Sequence, residues 1–115
     1  MENFEISFDH QSEVIFRIGR KSYKFYSEME DVLGDLQDSV EILRIGRGAG
    51  VSEFFYHSYT LLFLPKGNNQ ASIVLEYEKY DEATKASTRK ETSILVNQPE
   101  LIRYLDELTS KLPLA

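Results

Sequence analysis

The sequence predicts an α+β protein in which a single, mainly antiparallel sheet is covered on one face by two helices. Short stretches of alternating apolar and polar residues recur along the chain between turn residues, as in half-buried strands. Two other stretches place apolar residues every three or four positions, as in amphipathic helices. We expect about five to seven strands. Residues 1–115 should form one domain, because this length suits a single hydrophobic core.

The opening of the chain predicts a β-meander. Apolar and polar residues alternate over 4–8, and the polar stretch 9–12 follows as a turn. The same alternation returns over 14–18, and a glycine turn leads to a third short strand around 23–25. Strands that follow one another through tight turns usually pair as antiparallel neighbours.

A helix is predicted over about residues 28–38. Ser27 and Glu30 have the spacing of a capping box, in which the serine is the N-cap. The apolar residues that follow have helical spacing: Met29, Val32, Leu33 and Leu36. The pattern can be continued through Val40 and Leu43, so a longer helix is an open alternative.

Two nine-residue stretches resemble each other, SEVIFRIGR at 12–20 and SVEILRIGR at 39–47. The residues after each stretch differ, so we infer no duplicated domain. The first lies between predicted turns, and both contain β-branched residues, which favour strands. We therefore predict that 40–46 is a strand as well, which ends in the glycine-rich turn 46–50.

The second half of the chain predicts further antiparallel strands. Residues 51–64 form one long strand or two short ones, and 65–69 form a turn. Residues 71–80 and 86–96 then form a pair of strands. Opposite charges favour this pairing: Glu76 or Glu78 against Arg89 or Lys90.

A C-terminal helix is predicted over about residues 98–111. Asn97 is a favourable N-cap, Pro99 suits the first turn, and Glu100 is at the N3 position. Leucine and isoleucine follow in one apolar stripe. Pro113 ends the helix.

Composition narrows the function classes. The chain has no cysteine, so disulfides, thiolate catalysis and cysteine-bound zinc are excluded. With 13 Lys and Arg against 19 Asp and Glu, the net charge is −6 and disfavours binding to nucleic acid or to anionic membranes. We see no signal peptide, and the longest apolar run is too short to span a membrane. These features predict a soluble, cytoplasmic protein.

The first predicted helix carries the most informative charge pattern. Six acidic residues and no Lys or Arg lie between 25 and 43. Four of the acids fall three or four positions apart and line one helix face: Glu28, Asp31, Asp35 and Asp38. This face predicts a docking surface for a basic protein partner. The alternative is a solvated face that is neutralised by Arg17, Lys21 or Lys24.

The arginines of the two similar stretches predict an alternative site for an anion or small ligand. Arg20, Arg44 and Arg47 could converge, with the amide of Gly48 exposed to a phosphate. The glycine spacing matches neither a P-loop nor a dinucleotide-binding motif. The simpler interpretation is that glycine ends each strand and arginine keeps the sheet edge soluble.

The sequence indicates no catalytic constellation, no metal site and no cofactor. His57 is the main candidate for a general base, and it has no obvious local partner. His10 and His57 lack the spacing of a metal motif. We therefore expect a protein that is not an enzyme.

The leading hypothesis is a small acidic protein-binding module. It could be an inhibitor or an immunity-type protein that occludes a basic partner with its acidic helix face. The alternative is a regulatory domain that binds an anion or small ligand through residues 44–50. A homodimer formed through an edge strand is compatible with either hypothesis.

Overall fold

The computed structural model describes residues 1–9, 13–54 and 58–110. These residues form three strands, a helix, four strands and a second helix, which confirms the α+β class. The elements are β1 (Phe4–Asp9), β2 (Glu13–Ile18), β3 (Lys21–Tyr26), α1 (Met29–Arg44), β4 (Ala49–Phe54), β5 (Ser58–Gly67), β6 (Gln70–Asp81), β7 (Ala86–Asn97) and α2 (Gln98–Thr109).

The strands form two antiparallel sheets, so the prediction of a single sheet is wrong. The first sheet contains β1, β2 and β3 in that order, and the second contains β4 to β7 in chain order. Each strand pairs with its neighbour along the chain, as expected for meanders. The described strands of the two sheets do not pair with each other, and the sheets contact through side chains on their apolar faces.

Aromatic side chains join the two sheets. Phe4 of β1 meets Phe63 of β5 edge-on, with ring centroids 6.1 Å apart. Phe25 of β3 stacks on Tyr59 at 5.6 Å. Such pairs contribute roughly 0.5–1.5 kcal/mol beyond the area they bury.

The helices cover the rest of the same face of the second sheet. Helix α1 packs beside β4, α2 packs beside β6 and β7, and the two helices contact each other. The buried sheet residues below them alternate along their strands: Val51, Leu61, Phe63, Ala71, Ile73 and Leu75. Helix α2 contributes Leu101, Leu105 and Leu108 to this core. The prediction that both helices pack on one face agrees with this arrangement.

Helix α1 continues to Arg44, so the predicted strand at 40–46 is wrong. Val40 and Leu43 are buried on the same helix side as Val32 and Leu36. The helical periodicity therefore outweighs the β-branched composition, because tertiary burial overrides local propensity. The longer helix that the pattern left open is the one that forms.

The start of α1 also differs from the prediction. Glu28, rather than Ser27, is the N-cap residue, and its side chain makes no capping hydrogen bond. The Glu28 carbonyl accepts from the amide of Asp31 at 3.1 Å and from that of Val32 at 3.2 Å. The predicted capping box of Ser27 and Glu30 therefore does not form.

The two similar stretches end different elements. The first ends strand β2 and the second ends helix α1. Their shared feature is the glycine, because Gly19 has a φ of 62° and Gly46 has a φ of 79°. Positive φ reverses the chain at low cost only at glycine, and it serves a β-turn and a helix C-terminus equally well. The prediction of two similar strand ends is therefore wrong.

The second half of the chain follows the prediction more closely. Residues 51–64 divide into β4 and β5, and β5 extends through Gly67. The turn that follows uses Asn68 and Asn69, both with positive φ. Strands β6 and β7 pair with Glu78 opposite Arg89, and the Arg89 guanidinium forms an ion pair with Glu76 on the diagonal.

Helix α2 begins as predicted. The Asn97 side chain accepts a hydrogen bond from the Glu100 amide at 3.0 Å, and Pro99 lies in the first turn. The helix ends at Thr109, and Pro113 lies outside the described residues. Among the described residues, no helix is long and apolar enough to cross a membrane.

Candidate functional site: an acidic strip on the first helix

Four carboxylates form an exposed strip along α1. The acidic strip consists of Glu28, Asp31, Asp35 and Asp38, and all four residues are exposed. Residues three or four apart are neighbours on a helix surface. The strip faces solvent because the opposite side of α1, which includes Leu33 and Leu36, is buried in the core.

The carboxylates of the strip are close enough to interact. Partial burial raises the pKa of Asp35, and the negative charges of Asp38 and Asp31 raise it further. A raised pKa means that the folded protein disfavours the ionised form of Asp35. The strip therefore concentrates negative charge at a cost to its own stability.

Two of the three basic residues that the sequence offered as neutralising partners form ion pairs elsewhere. The Arg17 guanidinium lies 3.6 Å from the Glu5 carboxylate, and the Lys24 ammonium lies 3.3 Å from that of Glu13. Lys21 begins β3 and is exposed. Among the residues described, no Lys or Arg forms an ion pair with the acidic strip.

Arg44, the basic residue of α1, points away from the strip. Arg44 forms an ion pair with Glu41 at 2.8 Å and another with Asp106 of α2. These contacts direct its charge toward the second helix. The side chains of both ion pairs are largely exposed to solvent, so each pair contributes at most about 1 kcal/mol to stability.

Two exposed isoleucines continue the acidic strip toward the C-terminal end of α1. Ile42 follows Asp38 by four positions, and Ile45 follows by three more. Their relative exposures are 37% and 69%. Exposed apolar residues beside charge are typical of a protein contact, although single ones are common on any surface.

The inner side of α1 is held against β4. The buried Ser39 hydroxyl donates to the Asp35 carbonyl at 2.8 Å and lies 3.5 Å from the carbonyl of Gly50. Gly50 has no room for a side chain, because a Cβ there would collide with the backbone carbonyl of Leu61. Close packing thus fixes the helix from behind and leaves the acidic strip on a rigid element.

The structure places the predicted anion-binding residues in different surroundings. Arg20 lies in the turn between β2 and β3, whereas Arg44 and Arg47 flank the C-terminal end of α1. Arg44 is already paired with carboxylates, and no described contact joins Arg20 to Arg47. A Cβ on Gly48 would lie 3.1 Å from the Leu64 side chain, so a larger residue there would require Leu64 to shift. The structure thus places the four acidic residues on one helix face, whereas the three arginines belong to two separate turns or helix ends.

The two histidines, His10 and His57, lie outside the described residues. Within the described part of the chain, no group of three or more His, Asp or Glu side chains is arranged to hold a metal ion. The acidic strip itself is a row of carboxylates along a helix.

The exposed isoleucines were not predicted from the sequence. Their signal was present, since Asp38, Ile42 and Ile45 keep the helical spacing of the strip. This spacing is informative only if α1 extends beyond residue 38. The similarity of 39–47 to 12–20 led us to predict a strand there instead.

Comparison with known proteins adds no relative. No protein-family model matches the chain, no curated protein matches its sequence, and no solved structure matches its fold. Interpretation of the acidic strip therefore depends on its own geometry.

Proposed function

We propose that this protein is a small binding module that presents its acidic strip to a basic protein partner. The supporting observation is the charge arrangement around Asp31, Asp35 and Asp38. They lie together and exposed, and in the described part of the chain no cation neutralises them. A helix selected for stability alone would place Lys or Arg among them.

The strip would act first on the rate of association. Charges of one sign on a rigid surface attract a partner of opposite sign over roughly one Debye length, about 8 Å at physiological ionic strength. Such steering raises association rate constants by roughly 10-fold to 1,000-fold. The overall charge of −6 adds to the attraction for a basic partner.

The exposed isoleucines would supply the apolar part of the contact. Ile42 and Ile45 lie at one end of the strip, so a partner on the acidic residues would also cover them. Apolar anchors lower the dissociation rate, whereas rim charges act chiefly on association. The proposed contact therefore combines a charged half with an apolar end.

The mode of action that fits this surface is occlusion. A protein of this kind inhibits by covering a basic active site, as an inhibitor or immunity-type protein does, and needs no catalytic residue of its own. The proposal accordingly assigns the protein no enzymatic reaction.

The proposal is tested by affinity capture from a lysate of the native host with three forms of the protein. The first is the wild type, and the second carries Asp31→Asn, Asp35→Asn and Asp38→Asn. The third carries Glu78→Gln, Glu82→Gln and Glu91→Gln, which removes the same charge from exposed positions on and between β6 and β7. Bound proteins are identified by mass spectrometry at low and moderate salt.

We expect a basic protein, in stoichiometric amount, on the wild type and on the β6–β7 variant but not on the strip variant. Moderate salt should release it, because the contact is electrostatic. Equal recovery of the same partner on the strip variant would show that the strip is not the docking surface.

A further inference from the structure

The free edge of β1 borders a groove that the acidic strip does not include. Four consecutive residues of β1 line the groove, Glu5 to Phe8, and Met29 and Leu33 of α1 face them. Tyr104, Glu107 and Leu108 of α2 complete the lining. The volume of about 620 Å³ lies in the range of ligand-binding clefts and would hold a short peptide segment.

The groove exposes the hydrogen-bonding edge of a strand rather than one of its faces. In the described part of the chain, β1 is at the end of its sheet and pairs with β2 alone. The Ile6 amide points away from β2, because it donates to the Tyr104 hydroxyl at 2.9 Å. Backbone groups alternate in direction along an antiparallel strand, so the Ile6 carbonyl and both backbone groups of Phe8 also point into the groove.

We propose that this groove binds an extended peptide segment of a partner, which adds a strand to the edge of β1. The Ile6 amide already donates to Tyr104, so the Ile6 carbonyl and the amide and carbonyl of Phe8 would supply the main-chain hydrogen bonds, as in other cases of strand addition. The partly buried side chains of Met29 and Phe8, with Leu33 and Leu108 behind them, offer an apolar wall for every second residue of the peptide.

Charge selects the remaining residues of the peptide. Glu5 lies on the solvent-facing side of β1 within 3.6 Å of the Arg17 guanidinium, so the exposed Glu107 on the helix rim is the main negative charge of the groove. Among the described residues, Glu107 forms no ion pair. The groove therefore suits a segment in which Lys or Arg alternates with apolar residues.

The same charges disfavour a second copy of this chain as the occupant. β1 contains no basic residue, so a second β1 strand would bring no positive charge to Glu107 and would add repulsion between two acidic chains. The overall charge of −6 adds to this repulsion. A basic segment of another protein meets neither penalty.

The groove and the acidic strip are separate surfaces. Met29 and Leu33 are displaced by two positions from Asp31 and Asp35, which places them on opposite sides of α1. The groove proposal therefore does not depend on the proposed function, and each can fail alone.

The test uses the peptide acetyl-Lys-Val-Lys-Val-Lys-Val-amide and a nuclear magnetic resonance titration of the 15N-labelled protein. We expect saturable shifts at the amides of Ile6, Ser7 and Phe8. The variant with Asp31→Asn, Asp35→Asn and Asp38→Asn should bind the peptide in the same way. Shifts confined to the acidic strip, or no saturable shift, would overturn the proposal.

A charge variant tests the rim. Glu107→Lys should weaken peptide binding by about fivefold, the scale of one exposed ion pair. Glu82→Lys makes the same charge change in the exposed β6–β7 turn and should leave the affinity unchanged. Equal weakening by both variants would indicate attraction to the net charge only and would contradict a site at the groove.

Backbone methylation tests strand addition itself. Two N-methylated forms of the peptide are compared. One is methylated at the backbone nitrogens of the second and third lysines, and the other at those of the three valines. Only one of these sets of amides can face β1, so one peptide should lose affinity by about tenfold or more and the other should retain it. Equal losses would show that the peptide does not add as a strand. Concentration-dependent shifts at Phe8 without peptide would instead identify a second copy as the occupant.

Discussion

At the scale of single residues, two glycines have opposite roles, one inside α1 and one just after its C-terminal end. Gly34 lies in the helix interior, and no atom of the described residues outside its own helix turn lies within 4 Å of the position of a Cβ. Gly34→Ala should therefore raise the free energy of unfolding by about 1 kcal/mol, because alanine loses less backbone entropy in a helix. Denaturant unfolding of the two proteins measures the difference.

Gly46 is the matched control for that substitution. It also has open space around it, but its φ of 79° is in the left-handed region. Gly46→Ala should lower the free energy of unfolding by about 1–2 kcal/mol, since the cost comes from the backbone alone. Stabilisation by both substitutions would contradict the helix end described above.

Asp35 makes the stability of the protein depend on pH. Burial and the neighbouring aspartates raise its pKa in the folded state above the ordinary 3.8. The folded state therefore resists ionisation, and the associated stability is fully present below pH 3.8 and is lost as the pH rises through the raised value. Asp35→Asn should stabilise the protein at pH 7 by about 0.5 kcal/mol, the scale of helical like-charge pairs.

Thermal unfolding at pH 7 and at pH 3 measures this effect. The gain from Asp35→Asn should vanish at pH 3, where the aspartate is protonated. Glu82→Gln, in an exposed turn, controls for the loss of one negative charge. An equal gain from the control at pH 7 would assign the effect to net charge rather than to the acidic strip.

Residue patterns in the sequence predicted contacts between residues close in the chain. They predicted less well which kind of element the backbone forms before a turn. The Asn97 cap, the alternation of β1 to β3 and the acidic face of α1 all follow from spacings of a few residues. The stretch Arg-Ile-Gly-Arg shows the limit. Glycine signals a positive φ, and only the elements packed around it decide whether a strand or a helix ends there.

At the scale of elements, the two helices begin differently. Asn97 caps α2 with a side-chain hydrogen bond, whereas Ser27 makes none to α1. Asn97→Ala should therefore lower the free energy of unfolding by about 1 kcal/mol. Ser27→Ala should change it by less than about 0.5 kcal/mol, as an ordinary surface substitution does.

Chemical denaturation of both variants decides between this arrangement and the capping box. A loss from Ser27→Ala as large as that from Asn97→Ala would show that Ser27 caps α1 in solution. The sequence alone could not separate the two cases, because both segments carry a suitable cap residue and a glutamate three positions later.

The length of α1 was also undetermined by the sequence. Val40 and Leu43 satisfy helical spacing, and the same segment satisfies strand composition. The decision comes from packing, since Leu43 is fully buried and Ser39 is held beside Gly50. Such contacts join residues from separate elements, and no local pattern records them.

At the scale of the whole molecule, the chain divides its strands between two sheets that share one core. Aromatic pairs between the sheets, such as Tyr23 with Tyr77 at 5.2 Å, hold the halves together. The sequence indicated that each run of strands has an apolar face, but not which surface would cover it. Stacking and edge-to-edge joining use the same alternation of residues, so only the three-dimensional arrangement distinguishes them.

The candidate site was predictable only in part, because some of its features lie within one element and others depend on contacts between elements. The four acids of the strip lie on one element, so their spacing alone brings them together. Whether Arg17 or Lys24 would neutralise them depended on the fold, and both pair within the first sheet instead. The groove beside β1 is formed by three elements and had no sequence signal beyond the strand itself.

The association rate constant of the captured partner, measured by stopped flow at several salt concentrations, tests the central claim most directly. The wild type should bind fast at low salt and lose that rate steeply as salt rises. The variant with Asp31→Asn, Asp35→Asn and Asp38→Asn should have an association rate constant at least about tenfold lower at low salt. Its rate constant should also depend less steeply on salt. The Glu78→Gln, Glu82→Gln, Glu91→Gln control should behave nearly as the wild type. The same rate and the same salt dependence in all three proteins would contradict docking through the acidic strip.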